Sequence, residues 1–304
     1  MRDWLRLIRW KNLAIVFFTQ FSIWFCLVEP QGVLPSWGDS LRFFMLALST
    51  GFIAAGGYII NDYFDIQIDV INRPEKVVLE HKINLRQAIL AHLLLSTVGL
   101  LVAFFVSGAL WLVIIQLLCV VLLWFYSTHF KRLPVIGNFV ISILTTLTII
   151  VIYLNYIPGL SVTDVFSFKW AANASGTTVY VLIYAFYSFF LTWIREIVKD
   201  MEDIAGDSEM GCKTLPIVAG LNGAIIFIVV LEVVMLVAGI IAILNVQTIQ
   251  SKVGIFLFLV APMFVWTWFL LRKSETAHYG LASKYIKFYM VAGLFTLYLF
   301  RFYF

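Results

Sequence analysis

The stretch LRFFMLALSTGFIAAGGYIINDYFDIQIDVINRP, residues 41–74, joins an apolar run to an acidic one. Residues 41–60 contain a single charged side chain, Arg42, and a run of about 20 apolar residues is long enough to cross a lipid bilayer as a helix. If the helix continues past Asn61, then Asp62, Asp65 and Asp69 fall within about 60° of one another on one face. Like charges in such a row repel one another, so we expect the row to bind a cation.

The composition of the whole chain indicates an all-α integral membrane protein. Of the 304 residues, 62% are hydrophobic and 12% are charged, whereas soluble domains carry about 25% charged residues. The three cysteines are scattered and predict neither a metal site nor a disulfide. Apolar runs of spanning length predict nine transmembrane helices, at approximately 12–29, 41–61, 87–106, 109–128, 135–155, 177–197, 217–244, 253–271 and 283–303.

The distribution of basic residues predicts the orientation of these helices. Most of the 21 Lys and Arg residues fall on one side of the predicted spans, and such an excess is typical of the cytoplasmic side. This places the N-terminus on the cytoplasmic side of a multi-pass protein of the cell (inner) membrane. The acidic run after residue 60 and a second one after the sixth predicted span lie on that same side. The net charge of +4 therefore reflects topology and lipid headgroups, and it does not indicate nucleic-acid binding.

A second acidic segment, REIVKDMEDIAGD at residues 195–207, follows the sixth predicted span. Glu196, Asp200, Asp203 and Asp207 are spaced i, i+4, i+7 and i+11, which puts them within about 60° on one face of a continuous helix. Solvated carboxylates at a membrane surface would be the simplest interpretation of either row. That interpretation is disfavoured because the row occurs twice, each time with apolar residues on the other faces.

Carboxylate oxygens without His or Cys are the ligands that Mg²⁺ prefers, together with substrate phosphate oxygens and water. Two such rows facing each other would hold Mg²⁺ ions and a diphosphate. The sequence therefore predicts a magnesium-dependent diphosphate site built from both acidic segments.

Three segments resemble motifs of the UbiA superfamily of intramembrane prenyltransferases. NDYFDIQID (61–69) fits the first acidic motif of that family, REIVKDMEDIAGD resembles its second, and YSTHFKRLPVIGN (126–138) is similar to its basic segment, with Thr128 in place of the usual proline. The resemblance covers roughly residues 10 to 300. It implies a single domain over residues 1–304, nine helices bundled around a central tunnel, and transfer of an isoprenyl chain from a prenyl diphosphate to an acceptor within the membrane.

The resemblance also implies roles for individual residues. The expected catalytic residues are the aspartates Asp62, Asp65, Asp69, Asp200 and Asp203. The expected Mg²⁺ ligands are Asp62, Asp65, Asp69, Glu196, Asp200, Asp203 and Asp207. The expected substrate-binding residues are Asn61, Arg73, Tyr126, Lys131, Arg132, Arg195 and Lys199.

The acceptor and the rival functions remain open at this point. Within the family, the two acidic segments are most similar to those of geranylgeranylglycerol-phosphate geranylgeranyltransferases, which alkylate a hydroxyl of a glycerol phosphate ether. The alternative acceptor is an aromatic acid of the 4-hydroxybenzoate or dihydroxynaphthoate type, as in quinone synthesis. A cation transporter is a remote alternative, and it would be expected to carry its carboxylates near the bilayer midplane on interrupted helices.

Overall fold

The computed structural model describes residues 2–29, 36–72, 74–79, 82–172, 176–245, 249–263, 265 and 276–303. Within these ranges the chain forms helices and short connections, and no β-strand occurs among them apart from an isolated bridge between Leu79 and Ile83. The all-α prediction is therefore confirmed for the described residues. In chain order the helices include α1 (Arg2–Leu7), α2 (Trp10–Ile23), α3 (Trp37–Asn72), α4 (Leu85–Ser107), α5 (Leu110–Thr128), α6 (Ile136–Leu154), α7 (Val162–Phe166), α8 (Lys169–Ala172), α9 (Gly176–Glu202), α10 (Ile204–Glu209), α11 (Leu215–Val218), α12 (Gly220–Asn245), α13 (Ile249–Ile255) and α14 (Thr276–Tyr303).

Seven helices in the described part of the chain are long and apolar enough to cross a membrane. They are α2 with its π-helical continuation to Val28, α3, α4, α5, α6, α9 and α12, and they match the first seven predicted spans. The eighth predicted span, 253–271, lies partly outside the described residues. The ninth falls within α14, which is not among the seven. The chain is thus a multi-pass membrane protein, whereas the count of nine spans and the cytoplasmic N-terminus stay predictions.

The residues of the chain form two compact units, each with most of its contacts within itself. Unit 1 consists of Met1–Phe130 and Thr146–Ala185, and unit 2 consists of Lys131–Thr145 and Phe186–Phe304. The first acidic segment belongs to unit 1, and the second acidic segment belongs to unit 2 together with the basic residues Lys131 and Arg132. The single domain over residues 1–304 stays a prediction.

Helix α3 of unit 1 carries the first acidic segment. Its 36 residues make a helix about 54 Å long, which exceeds the hydrocarbon thickness of about 30 Å. It is therefore long enough for the polar end from Asn61 to Asn72 to extend beyond the lipid core. The helix ends at Asn72, before Pro74 opens a short 3-10 turn, since proline has no N–H to continue the helical hydrogen bonds. The predicted continuation of this helix past Asn61 is confirmed.

Close packing holds α3 against α4 and α5. A Cβ added to Gly99 of α4 would lie 2.8 Å from Ile53 Cγ1 and 3.0 Å from the Ser49 carbonyl oxygen of α3, so a larger residue would force α3 and α4 to shift. His92 Nδ1 lies 3.0 Å from the Gly56 carbonyl oxygen, and Ser49 Oγ donates to Gln116 Oε1 at 2.6 Å. Small residues and hydrogen bonds between helices are the usual means of helix association in lipid. They fix the helix that presents the first acidic segment.

The N-terminal helix α1 packs at the same end of α3. Leu7 is buried in an apolar cluster with Ile59 of α3 and Ala88 of α4. Asp3 also forms an ion pair with Lys82, at 3.4 Å between Lys82 Nζ and Asp3 Oδ1. The start of the chain is thus docked beside the first acidic segment.

In unit 2, aromatic and small residues join α6, α9 and α12. The Trp193 ring of α9 lies 5.2 Å from Phe139 of α6 and 5.7 Å from Phe227 of α12, measured between centroids. Tyr187 donates a hydrogen bond to the Met235 carbonyl at 3.0 Å. These contacts hold the second acidic segment, at the end of α9, on a packed scaffold.

Candidate active site

The first acidic segment lies on one continuous helix. Asn61 Nδ2 donates a hydrogen bond to Asp65 Oδ2 at 2.7 Å, which is the i, i+4 spacing that brings two side chains together on a helix. The other amide atom, Asn61 Oδ1, is buried and makes no hydrogen bond within the described part of the chain. Asn61 therefore orients Asp65 and keeps an oxygen available as a ligand.

Asp62 is paired with a residue that the sequence analysis missed, Arg9. Arg9 Nη2 donates to Asp62 Oδ1 at 2.6 Å, and the guanidinium lies over the Tyr58 ring, 5.2 Å from its centroid. Burial by itself lowers the pKa of Arg9, but the Asp62 carboxylate outweighs it and the net pKa of Arg9 is raised. The charge of Asp62 is thus already balanced by a cation from the start of α2.

The backbone at Arg9 explains why the sequence did not reveal this pair. Arg9 adopts a left-handed conformation, with φ 50° and ψ 52°, which costs a non-glycine residue about 1–2 kcal/mol. The left-handed turn separates α1 from α2, and the Arg9 side chain contacts Asp62 and Tyr58 of α3. A basic residue in this segment is typical of cytoplasmic charge, and nothing in its spacing indicates a left-handed turn.

The remaining predicted residues of unit 1 have less defined roles. Asp69 is half-buried two turns beyond Asp62 on α3, and Tyr126 is half-buried in the last turn of α5. Arg73 lies outside the described residues. Asp62, Asp65 and Asp69 lie on successive turns of the continuous helix α3, as predicted from their spacing.

The second acidic segment differs from the prediction of one continuous helix. Helix α9 ends at Glu202 and α10 begins at Ile204, with Asp203 between them at φ −98° and ψ 8°. Carboxylates are unfavourable at the C-terminus of a helix and favourable in its first turn. The interruption moves Asp207 into the first turn of α10. The prediction of one continuous helix was therefore wrong. The backbone N–H groups of Asp203 and Asp207 still donate to the carbonyls four residues earlier, at 2.9 and 3.1 Å, and the charge of Asp207 acts on Asp200.

Glu196 is held between two of the residues predicted to bind substrate. Arg195 Nη1 donates to Glu196 Oε1 at 2.8 Å, and Lys199 Nζ donates to Glu196 Oε2 at 2.9 Å. Glu196 is buried, and a buried carboxylate with two cationic partners is largely neutralised. A metal ion at Glu196 would have to share it with these two cations.

Asp200 has a neutral partner, Asn138, which the sequence analysis did not assign to the site. Asn138 Nδ2 donates to Asp200 Oδ2 at 2.7 Å. Asn138 lies in the first turn of α6, six residues after Arg132, at the end of the basic segment 126–138. Its place in that segment was the one signal in the sequence that could have indicated a role in the site.

The basic residues Lys131 and Arg132 belong to the same unit as the second acidic segment. Lys131 and Arg132 lie on a short 3-10 turn, Phe130–Arg132, with Lys131 half-buried and Arg132 exposed. The backbone N–H of Lys213 donates to the Arg132 carbonyl at 2.8 Å. Unit 2 thus combines two cations suited to phosphate with the carboxylates of the second segment.

The donor set within each unit fits Mg²⁺ only with help from a substrate. In the ranges that the structure describes, no group of three or more His, Cys, Asp and Glu side chains is arranged to hold a metal ion. Each acidic segment nevertheless offers carboxylate and amide oxygens, and Mg²⁺ usually takes one or two carboxylates and fills its remaining positions with phosphate oxygens and water. The residues therefore fit a metal ion that arrives with a diphosphate.

Comparison with known proteins gives consistent matches. Residues 20–291 match the model of the UbiA prenyltransferase family. The digeranylgeranylglyceryl phosphate synthase of Saccharolobus solfataricus is 32% identical over 228 residues, covering 73% of this chain and 70% of the relative. The protein of the same name from Methanosphaera stadtmanae is 33% identical over 241 residues, covering 78% and 79%.

Solved structures share the fold over nearly the whole chain. A structure solved in work on digeranylgeranylglyceryl phosphate synthase in membranes superposes on this chain with a TM-score of 0.67. The two are 26% identical, and the match covers 99% of this chain and 98% of that chain. A UbiA homolog from Archaeoglobus fulgidus bound to GPP and Mg²⁺ has a TM-score of 0.65 at 17% identity, covering 97% and 99%. At that identity the second match shows the fold alone.

Proposed function

Because the chain belongs to the UbiA prenyltransferase family, we propose that it transfers an isoprenyl chain from a prenyl diphosphate to a hydroxyl of a glycerophosphate lipid, with Mg²⁺ as cofactor. The acceptor class is supported by the two relatives named digeranylgeranylglyceryl phosphate synthase, which align with most of this chain. A prenyl diphosphate donor is supported by membership of this prenyltransferase family, and Mg²⁺ by the carboxylate oxygens of the two acidic segments. The Archaeoglobus fulgidus homolog of the same fold is bound to GPP and Mg²⁺.

The observation that carries the proposal is the pairing of Asp200 with a neutral amide. Asp200 Oδ2 accepts from Asn138, and Oδ1 makes no hydrogen bond to any residue that the structure describes. A partly buried carboxylate is stabilised by an opposite charge nearby. The arrangement suits a carboxylate that receives a cation together with substrate.

Each unit has a part in the reaction that we propose. Asp65, oriented by Asn61, and Asp69 would hold metal in unit 1, while Asp200 and Asp203 would do so in unit 2. The predicted ligands Asp62 and Glu196 already have basic partners. Asp207 lies in the first turn of α10, where its charge acts on Asp200, so it stays a proposed ligand. When bound, Mg²⁺ neutralises the charge that develops on the diphosphate leaving group.

The chain's own cations would contribute to the same step. Lys131 and Arg132 would donate charge-assisted hydrogen bonds to the diphosphate oxygens. As the allylic C–O bond breaks, the acceptor hydroxyl oxygen forms a bond to that carbon and releases its proton, and the diphosphate leaves with the bonding electrons. Aromatic side chains that line such a site would stabilise a developing carbocation by about 0.5–2 kcal/mol each.

The arrangement of the whole molecule is also part of this proposal. A single domain in which the two acidic segments face each other at the cytoplasmic side, with nine spans around a central tunnel, would bring both sets of carboxylates to one diphosphate. Accessibility of a cysteine introduced at exposed Glu209 to a membrane-impermeant thiol reagent, from inside-out and right-side-out vesicles, tests the orientation. Labelling from the periplasmic side would contradict it.

Product analysis tests the reaction. Purified protein would be incubated with radiolabelled geranylgeranyl diphosphate, Mg²⁺ and separate acceptors, namely geranylgeranylglyceryl phosphate, 4-hydroxybenzoate and dihydroxynaphthoate. We expect a labelled lipid with the glycerophosphate acceptor and none with the aromatic acids, and EDTA should abolish it. A labelled aromatic product without a labelled glycerophosphate lipid would overturn the acceptor that we propose.

A further inference from the structure

Asn138 is buried beside the second acidic segment and has a specific partner there. Its side chain is 6% exposed. In the part of the chain that the structure describes, its one side-chain hydrogen bond goes from Nδ2 to Asp200 Oδ2, at 2.7 Å. The pair joins α6 to α9 within unit 2. This contact fixes the rotation of the Asp200 carboxylate about its side-chain bond.

The chemistry of the amide suits a carboxylate that receives its cation together with substrate. An apolar residue at position 138 would leave a carboxylate oxygen without a donor, which is unfavourable. A basic residue would neutralise Asp200, as Arg9 neutralises Asp62. The neutral amide satisfies one oxygen and supplies no counterion, so Oδ1 is the oxygen left to meet a cation.

Asn138 also connects the acidic and basic parts of unit 2. It follows Lys131 and Arg132 on the same short segment, and that segment is tied to the loop after the second acidic segment by the Lys213 N–H to Arg132 carbonyl hydrogen bond of 2.8 Å. Two contacts therefore fix the basic turn relative to α9 and α10. One of the two is made by the Asn138 side chain.

We propose that Asn138 is a positioning residue of the prenyl-transfer site, which aims Asp200 Oδ1 at a divalent cation through the hydrogen bond to Oδ2. This inference rests on the proposed function, because it assumes that Asp200 binds the metal. Partners that orient a metal ligand typically account for 10- to 100-fold in metal affinity. Asn138 acts through Asp200 and does not itself contact the cation.

Metal affinity of the purified full-length protein tests this role without relying on turnover. Mn²⁺ binding would be measured by electron paramagnetic resonance in the presence of inorganic pyrophosphate. We expect Asn138→Ala to weaken Mn²⁺ binding about 10- to 100-fold. Ser142→Ala is the matched control, since Ser142 is buried on the same helix and donates its hydroxyl to the Asn138 carbonyl at 2.7 Å. Unchanged Mn²⁺ affinity in Asn138→Ala would overturn the proposal.

An exchange of the two side chains separates positioning from simple packing. In Asn138→Asp/Asp200→Asn the hydrogen bond can re-form with donor and acceptor reversed, whereas the carboxylate has moved from α9 to α6. We expect the exchanged protein to unfold at the same thermal midpoint as wild type, and to bind Mn²⁺ as weakly as Asp200→Asn does. Wild-type Mn²⁺ affinity in the exchanged protein would overturn the proposal, because the position of the carboxylate would then not matter.

The variant Asp200→Asn distinguishes this inference from the proposed function. If Asp200→Asn alone binds Mn²⁺ as wild type does, the metal role of the second acidic segment is wrong. If Asp200→Asn loses binding while Asn138→Ala keeps it, only the positioning role is wrong. When both are right, adding Asn138→Ala to Asp200→Asn weakens binding no further, since coupled residues are not additive.

Discussion

Asp62 of unit 1 and Asp200 of unit 2 are each held by a short hydrogen bond, but from partners of different charge. Asp62 accepts from the Arg9 guanidinium at 2.6 Å, whereas Asp200 accepts from the neutral Asn138 amide at 2.7 Å. The first carboxylate therefore has its counterion built into the fold. The second has a neutral partner and no built-in counterion, so a bound cation can take that role. Spacing alone made the two look equivalent, and the difference lies in their tertiary partners.

The strongest test of this contrast is Asp200→Asn. We expect the rate of prenyl transfer to fall by more than about 100-fold, because a metal ligand is lost. Thermal stability should be unchanged or higher, since a partly buried charge without a cationic hydrogen-bond partner has been removed. Product formation from labelled geranylgeranyl diphosphate and the thermal midpoint would both be measured. Glu209→Gln, an exposed carboxylate on α10, is the control, and near-normal turnover in Asp200→Asn would contradict the assignment.

Lys131→Ala tests whether unit 2 also supplies the cation for the diphosphate. Loss of one charge-assisted hydrogen bond is expected to weaken donor binding about tenfold or more. The measurement is the affinity for geranylgeranyl diphosphate at saturating Mg²⁺. Lys252→Ala removes the same charge from α13, which we predict to lie towards the opposite side, and should leave donor affinity unchanged. Equal affinity in wild type and Lys131→Ala would remove Lys131 from the diphosphate site.

Asp62→Asn should lower the stability of the protein, in contrast to the unchanged or higher stability that we expect for Asp200→Asn. It leaves Arg9 in a left-handed backbone over Tyr58 without its carboxylate, and the pair is only partly exposed. We expect the free energy of unfolding to fall by about 1–2 kcal/mol. Adding Arg9→Ala should recover part of that loss, because the unpaired cation is then removed. Higher stability in Asp62→Asn than in wild type would show that the ion pair is not a structural anchor.

The sequence predicted those features that depend on neighbours along one helix. The row of Asp62, Asp65 and Asp69 followed from the helical period, and α3 runs unbroken through all three. The gap between the third and fourth predicted spans, 87–106 and 109–128, contains Gly108, where the backbone turns with φ 60°. Family membership followed from the order of the two acidic segments and the basic segment between them.

The features that the sequence did not reveal depend on contacts between distant residues. Arg9 and Asp62 are separated by 53 positions, and Asn138 and Asp200 by 62, so no periodicity connects them. The break at Asp203 escaped the helical pattern because it reflects a local balance of charge at a helix end. Glu196 fitted a ligand position by spacing, but its neighbours Arg195 and Lys199 turned out to bind it.

Lys82→Ala gives the smallest expected effect and decides what the Arg9 pair contributes. Asp3 and Lys82 form an ion pair at 3.4 Å with side chains 37% and 51% exposed, and exposed pairs contribute little. We expect the free energy of unfolding to change by less than about 0.5 kcal/mol, and the change to shrink further as salt screens the charges. Both ion pairs attach the N-terminal segment to the rest of unit 1. If Lys82→Ala destabilises the protein as much as Asp62→Asn does, the stability at this end of unit 1 depends on the docking of α1 and not on the charge of Arg9. The contrast between Asp62 and Asp200 would then have no electrostatic basis.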